Sequence, residues 1–270
     1  DYNKIGMLVY AAIVPHPPFA IESVGKDKIK ALDTTIESLK HVGEDLASLD
    51  IDTILVISPY GERYEAALGI AFHDPYVASL KEFGDMSTSV SFRPDMRLVD
   101  KIQRTVRKSG IRSTMTTNDE LDYGSAVPLI MLKEYIGDRR VVVITPPVDS
   151  PKDIVSLGDS ISEALNDSSS RVAVLCSAEL SHRLSELSPG GVHPGAEEFD
   201  KKIRGALVDG NSIPLLKVSA KEIEEQGAQG LDAIRLFWGI LGDTGHTMEE
   251  HSYEHPFGIG HLVMVARLHQ

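Results

Sequence analysis

The chain has 270 residues, 42% hydrophobic and 25% charged, with a formal net charge of −13. That size and composition suit a soluble globular protein with a sizeable core, and no apolar run approaches the roughly 18 residues a membrane helix needs. An acidic surface repels phosphate backbones, which excludes nucleic acid as an expected partner.

Asp1 to Gly6 precede the first strand-like text and read as a tag or an upstream extension; 7–270 reads as one domain. MLVYAAIV, Met7 to Val14, is a buried strand that ends at Pro15-His16-Pro17-Pro18. Ile29, Leu32, Ile36, Leu39, Leu46 and Leu49 recur at spacings of three, four or seven, the pattern of an amphipathic helix. Thr53 to Ile57 is a second buried strand, and Tyr64 to Ala71 and Ser87 to Phe92 read as strands too. Pro94-Asp95 opens a helix carrying Leu98, Ile102 and Val106, which Gly110 closes. Ser125 to Ile136 reads as a helix with Pro128 in its first turn.

Arg140 to Thr145 is a buried strand, and Ser150-Pro151 starts a helix that turns Ile154, Leu157, Ile161 and Leu165 inward. Val172 to Ser177 is another strand and holds the single cysteine, Cys176, as a small buried hydrophobe. One thiol cannot form an internal disulfide, which fits a reducing cytoplasm. Ala196 to Val208 reads as helix, Ser219 with Glu222 as a capping box, Gly230 to Leu241 as an apolar helix, and His261 to Leu268 as the final strand. The alternation predicts an α/β domain with a central, mostly buried sheet flanked by helices. A homodimer is the base-rate expectation for such a chain.

Three loops carry chemistry-bearing side chains. In VPHPP, prolines on both sides of His16 fix the backbone and remove donors, so a rigid histidine at a strand end suits a metal ligand. In SAELSHRL, His182 lies beside Glu179 and Ser181 and suits general acid–base work. In HSYEHPFGIGHLV, Glu254 sits among aromatics with no adjacent Lys or Arg, and is either exposed or bound to something such as a metal. His251 and His255 are four apart, but Pro256 breaks the helix a zinc pair would need. His261 reads as a packing residue, Asp122 as the orienter of its loop, and Gly61 and Gly124 as turn residues.

Taken in order, VPHPP, ISPYG, LDYGSAVPL, AELSHRL and SYEHPFGIGHLV resemble the LigB-type catalytic subunit of class III extradiol ring-cleaving dioxygenases, from Met7 to Leu268. MEMO proteins are a more distant branch of the same fold. The resemblance implies a LigB-like domain holding Fe(II) by two histidines and a carboxylate, with positions left for a small aromatic diol and O₂. Some members of the family also take a second subunit. By motif, His16 matches the first iron ligand, Glu254 the carboxylate and His182 the acid–base histidine.

Two positions depart from the pattern. The second ligand histidine belongs in Ser-Pro-His-Gly, and here the segment reads Ser58-Pro59-Tyr60-Gly61. The Asp-His-Gly segment near the substrate reads Asp122-Tyr123-Gly124, and Glu179 stands where the family often has Asp. The expected metal set is therefore His16, Glu254 and Tyr60, the catalytic pair His182 and Tyr123, and the pocket Glu179, His193, His255 and Pro17. A phenol, with an ordinary pKa of about 10, must lose a costly proton to ligate well. Three outcomes stay open: Tyr60 ligates, His193 or His255 replaces it, or Tyr60 and Tyr123 hydrogen-bond across a pocket holding another divalent metal or none. Function follows the same division, into a ring-cleaving dioxygenase, a MEMO-like binding protein, or a metal-dependent hydrolase using Glu254 and His182 around a zinc-bound water.

Overall fold

In the computed structural model, residues 7–269 are described; the segment 1–6, expected to be a tag or extension, lies outside them. In chain order the elements are β1 (Met7–Val14), α1 (Glu22–Gly25), α2 (Asp33–Ser48), β2 (Thr53–Ile57), β3 (Ala67–Ala71), β4 (Tyr76–Leu80) and β5 (Asp85–Phe92). There follow α3 (Met96–Lys108), β6 (Arg112–Thr116), α4 (Tyr123–Met131), α5 (Lys133–Ile136), β7 (Arg140–Thr145), α6 (Pro151–Asn166) and β8 (Arg171–Ser177). The chain finishes with α7 (Ala196–Val208), α8 (Ser212–Lys217), α9 (Ala220–Gln226), α10 (Leu231–Leu241), β9 (His246–Glu254) and β10 (His261–Leu268).

The apolar runs form the middle of an eight-stranded sheet of order β6-β3-β7-β2-β8-β1-β10-β9. β7, β2, β8 and β1 run parallel, so their C-terminal ends share one edge, while β10 lies antiparallel to β1 and begins where β1 ends. Continuous hydrophobic text is what strands covered on both faces need. Alternate residues divide between the faces. Leu55, Ile57, Val142 and Ile144 pack under α3, α6 and α10, whereas Ile54, Val56, Val141 and Val143 pack with α2 and α4. Among the described residues no helix is long and apolar enough to cross a membrane.

Several boundaries differ from those expected, each for a physical reason. β9 is an edge strand in which only Met248 and Ser252 are buried, so it carries charge and hides the alternation of a half-buried strand. β6, the opposite edge, has no fully buried residue, and β4 belongs to a separate two-stranded ribbon with β5. β3 starts at Ala67, and Tyr64 contributes only an isolated bridge to Ala67. α4 starts at Tyr123, capped by the Asp122 carboxylate, and ends at Met131 before α5 begins. Pro128 is therefore in the second turn, not the first.

α6 and α10 cross at two glycines. A Cβ on Gly158 would lie 2.5 Å from the Leu236 carbonyl oxygen, and one on Gly239 would lie 2.1 Å from that of Val155. Backbone meets backbone there, so no rotamer change can make room. Gly239→Ala should push the helices apart and cost about 1–3 kcal/mol or more, read as a lower urea midpoint with an unchanged slope.

Candidate functional site

The residues singled out by sequence gather at the C-terminal edge of the parallel strands, the usual place for chemistry in an open α/β sheet. His16 follows β1, Tyr60 follows β2, Tyr123 opens α4, and Glu179 and His182 follow β8. The arrangement starts from Pro128. Proline has no N–H, so the carbonyl of Gly124, four residues earlier in α4, receives no helical hydrogen bond from it. The Ser177 hydroxyl donates to that carbonyl instead. A hydroxyl has one proton, so the Ser177 oxygen must accept from its other neighbour, His16 Nδ1, at 2.8 Å.

That contact sets the tautomer. His16 is 1% exposed, and burial pushes its pKa down, with the Glu179 charge opposing more weakly. A neutral His16 protonated on Nδ1 leaves Nε2 as a bare lone pair. Nε2 has no hydrogen-bond partner and faces Glu179 Oε2 at 3.4 Å. Two acceptors face each other, and a cation satisfies both.

Glu179 is the centre of the cluster. His182 Nε2 lies 3.2 Å from Oε2, and His261 Nδ1 lies 3.4 Å from Oε1. Burial pushes the Glu179 pKa up, but His16, His182 and His261 outweigh it and hold the carboxyl well below its usual range. His261, read from sequence as a packing residue, is 1% exposed, and neither ring nitrogen has a hydrogen-bond partner. Only the antiparallel register of β10 against β1 brings it here, which no local pattern shows.

Tyr60 and Tyr123 stack on each other, ring centroids 4.5 Å apart, with His16 edge-on at 5.3 Å from Tyr60 and 5.6 Å from Tyr123. Burial, ahead of the Glu179 charge, pushes the Tyr60 pKa up. Burial likewise pushes Tyr123 up to about 12. Both stay phenols near neutral pH. Phe83, from the turn between β4 and β5, stands edge-on to Tyr123 at 5.6 Å; sequence reasoning passed it over.

The loop geometry is tight rather than turn-like. Asp122 caps α4 through the Ser125 N–H and accepts from the Ser58 hydroxyl. A Cβ on Gly124 would lie 2.7 Å from Ser58 Oγ and 3.0 Å from the Tyr60 ring, and one on Gly61 would lie 2.0 Å from Thr145 Oγ1. Close approach, not a left-handed backbone, requires both glycines.

The other expected site residues make their contacts elsewhere. Glu254 Oε1 accepts from the Thr35 N–H at 2.8 Å and the Thr35 hydroxyl at 2.6 Å, which caps α2 where Leu32 offers no side chain. His193 Nδ1 meets Gln226 Nε2 at 2.8 Å, and Gln226 Oε1 meets the Ser181 hydroxyl at 2.9 Å, one residue from His182. His255 is exposed, its ring 5.8 Å from that of Tyr253, and Pro17 is buried with its carbonyl accepting from Ala20.

A cleft of about 210 Å³ is bordered by Tyr60, Leu121, Asp122, Val143 and Thr145. A larger depression of about 600 Å³ is rimmed by Arg93, Arg97, Lys101 and Asp138. It lies by the starts of β2, β7 and β8, away from the histidines, and has the mixed-charge rim of ordinary solvated surface.

The donors fit a divalent first-row cation. Bare imidazole nitrogen and ionised carboxylate are borderline-hard ligands of the kind such ions take. His16 and Glu179 would hold the ion together with a neighbouring imidazole.

These features match known proteins. Residues 10–264 match the catalytic LigB subunit of aromatic ring-opening dioxygenase, and the chain belongs to that family. Protein CA_C1420 of Clostridium acetobutylicum is 28% identical over 261 residues, covering 93% of this chain; the chain spans 56% of that relative's length. The 3,4-dihydroxyphenylacetate 2,3-dioxygenase of Escherichia coli is 26% identical over 219 residues, 76% of this chain and 77% of the enzyme. In fold, the chain is similar to the crystal structure of uncharacterized protein JW3007 from Escherichia coli K12, with a TM-score of 0.67 at 12% identity over 95% of this chain and 98% of that one.

Behind the site, Asp200 joins the two loops that carry it. Its Oδ1 accepts from the Ser181 N–H at 2.8 Å and its Oδ2 from the Tyr253 hydroxyl at 2.6 Å. Gly260 has no room for a Cβ because Oδ2 would be 2.2 Å away. Burial, ahead of the opposing Tyr253 bond, pushes Asp200 up to about 6 from 3.8. A carboxyl with a raised folded pKa holds its proton more tightly when folded. It therefore favours the fold at acid pH, and that contribution is lost as pH rises through about 6. The shift corresponds to at most about 3 kcal/mol. Asp200→Asn should remove the dependence. The wild-type stability relative to the variant, from urea unfolding, should fall by about 1–3 kcal/mol between pH 4 and pH 7; an unchanged difference would exclude this role.

Proposed function

We propose that the protein is an extradiol-type dioxygenase that opens a catechol-like ring with O₂ and uses a divalent metal, Fe(II) by family. The observation that carries this reading is the bare, buried Nε2 of His16 facing the ionised Glu179 in a LigB-family chain. The 3,4-dihydroxyphenylacetate 2,3-dioxygenase of Escherichia coli, 26% identical, supports the reaction class. Fe(II), when bound, supplies a chelation site for the diol and for O₂.

The chain's own residues account for the rest. His16 is locked by Ser177 with its donor atom inward. His182, 19% exposed and 3.2 Å from Glu179, is open enough to take the proton a diol must lose on binding. The Glu179 charge steadies the imidazolium that results. The Tyr123 hydroxyl is a donor for a ring oxygen, and the stacked tyrosines with Phe83 edge-on supply apolar contact for an aromatic ring.

A second reading, a MEMO-like binding protein that keeps the pocket without turnover, draws on the phenols at 60 and 123, which stack on each other.

Oxygen uptake with a panel of catechols, after anaerobic loading with Fe(II), separates the two. Turnover should appear as a yellow ring-opened product, and His182→Gln should lower kcat about 10²–10⁴-fold with the metal retained. Stoichiometric iron with no uptake on any catechol would favour the binding protein.

A further inference from the structure

The resemblance leaves one ligand unaccounted for, because position 60 is a tyrosine. We propose that His261 supplies the second imidazole of the metal site, with His16 and Glu179, and that Tyr60 is not a ligand. This rests on the reading that the site holds a divalent cation.

Three observations carry it. First, His261 is 1% exposed and both its ring nitrogens lack hydrogen-bond partners, as does Nε2 of His16. Leaving such groups unpaired is costly, so a fold that keeps two of them at one carboxylate has a use for them.

Second, the spacing is that of co-ligands. His16 Nε2 and His261 Nδ1 each lie 3.4 Å from a Glu179 oxygen. A good N–H···O hydrogen bond is shorter, about 2.9–3.0 Å. Donors held at about 2.0–2.2 Å from one ion stand roughly 3–3.5 Å apart. Among the described residues no group of three or more His, Cys, Asp or Glu is already arranged to hold an ion, so an ion would have to draw His16 and His261 in toward Glu179, whose Oε2 also faces His182 at 3.2 Å.

Third, Tyr60 is committed. Its ring stacks on that of Tyr123 with His16 edge-on to it, and a phenol would have to give up its proton to ligate. The imidazole lost from the end of β2 is thus replaced from the start of β10, across β8 and β1 in the sheet.

The test is metal affinity, read without turnover. Chelator-treated protein is titrated anaerobically with Fe(II), and separately with Co(II), whose visible absorption reports its ligands. Wild type should bind one equivalent. His261→Gln should weaken binding at least tenfold and alter the cobalt spectrum, with circular dichroism and melting temperature showing it folded. Tyr60→Phe should bind as wild type does, and it serves as the deciding variant if His261→Gln does not fold. Wild-type affinity in folded His261→Gln, loss of binding in Tyr60→Phe, or no metal uptake by wild type would each overturn the assignment. Metal uptake lost only in His261→Gln, with no oxygen consumption by wild type, would uphold the site and reject the dioxygenase reading.

Discussion

One proton decides how this site is wired. The Ser177 hydroxyl gives it to the Gly124 carbonyl, and that carbonyl is available because Pro128 has no N–H to return to it. Everything at His16 follows: Nδ1 must donate, Nε2 must stay bare, and the bare atom points at a carboxylate. A helix defect, a strand-end serine and a proline-bracketed histidine, far apart in the chain, form a single hydrogen-bond sequence. Each link is buried, so water cannot substitute for any of them.

The same enclosure explains the charge pattern. Glu179 is 5% exposed, yet its pKa is held well below the usual range, with His182 Nε2 3.2 Å from one of its oxygens. The two tyrosines pass through the opposite balance: burial and the Glu179 charge both disfavour a phenolate, so they stay neutral and stack. The pair thus builds an aromatic face on one side of the cluster.

Central elements were legible in the sequence because burial on both faces leaves a plain signature; β1, β2, β7 and β10 begin and end where the apolar text does. Edge strands were not, since β6 and β9 are mostly solvated and carry charge. At the site, His16 and His182 stood out by local chemistry, and the tyrosine substitutions by motif. His261 did not, because a histidine inside an apolar strand looks like any packing residue until the register shows what lies across from it. Glu254 stood out by motif, yet one of its oxygens caps α2, a partnership 219 residues away in sequence.

β1 and β10 are neighbours in the sheet, although one opens and the other closes the described chain. The cluster around Glu179 draws on both, so it cannot exist until nearly the whole length has been threaded into place. Contacts of such long range form slowly, after the entropy of closing a large loop has been met. The cluster is therefore among the last features to appear during folding, and a partly folded chain lacks the carboxylate's full complement of imidazoles.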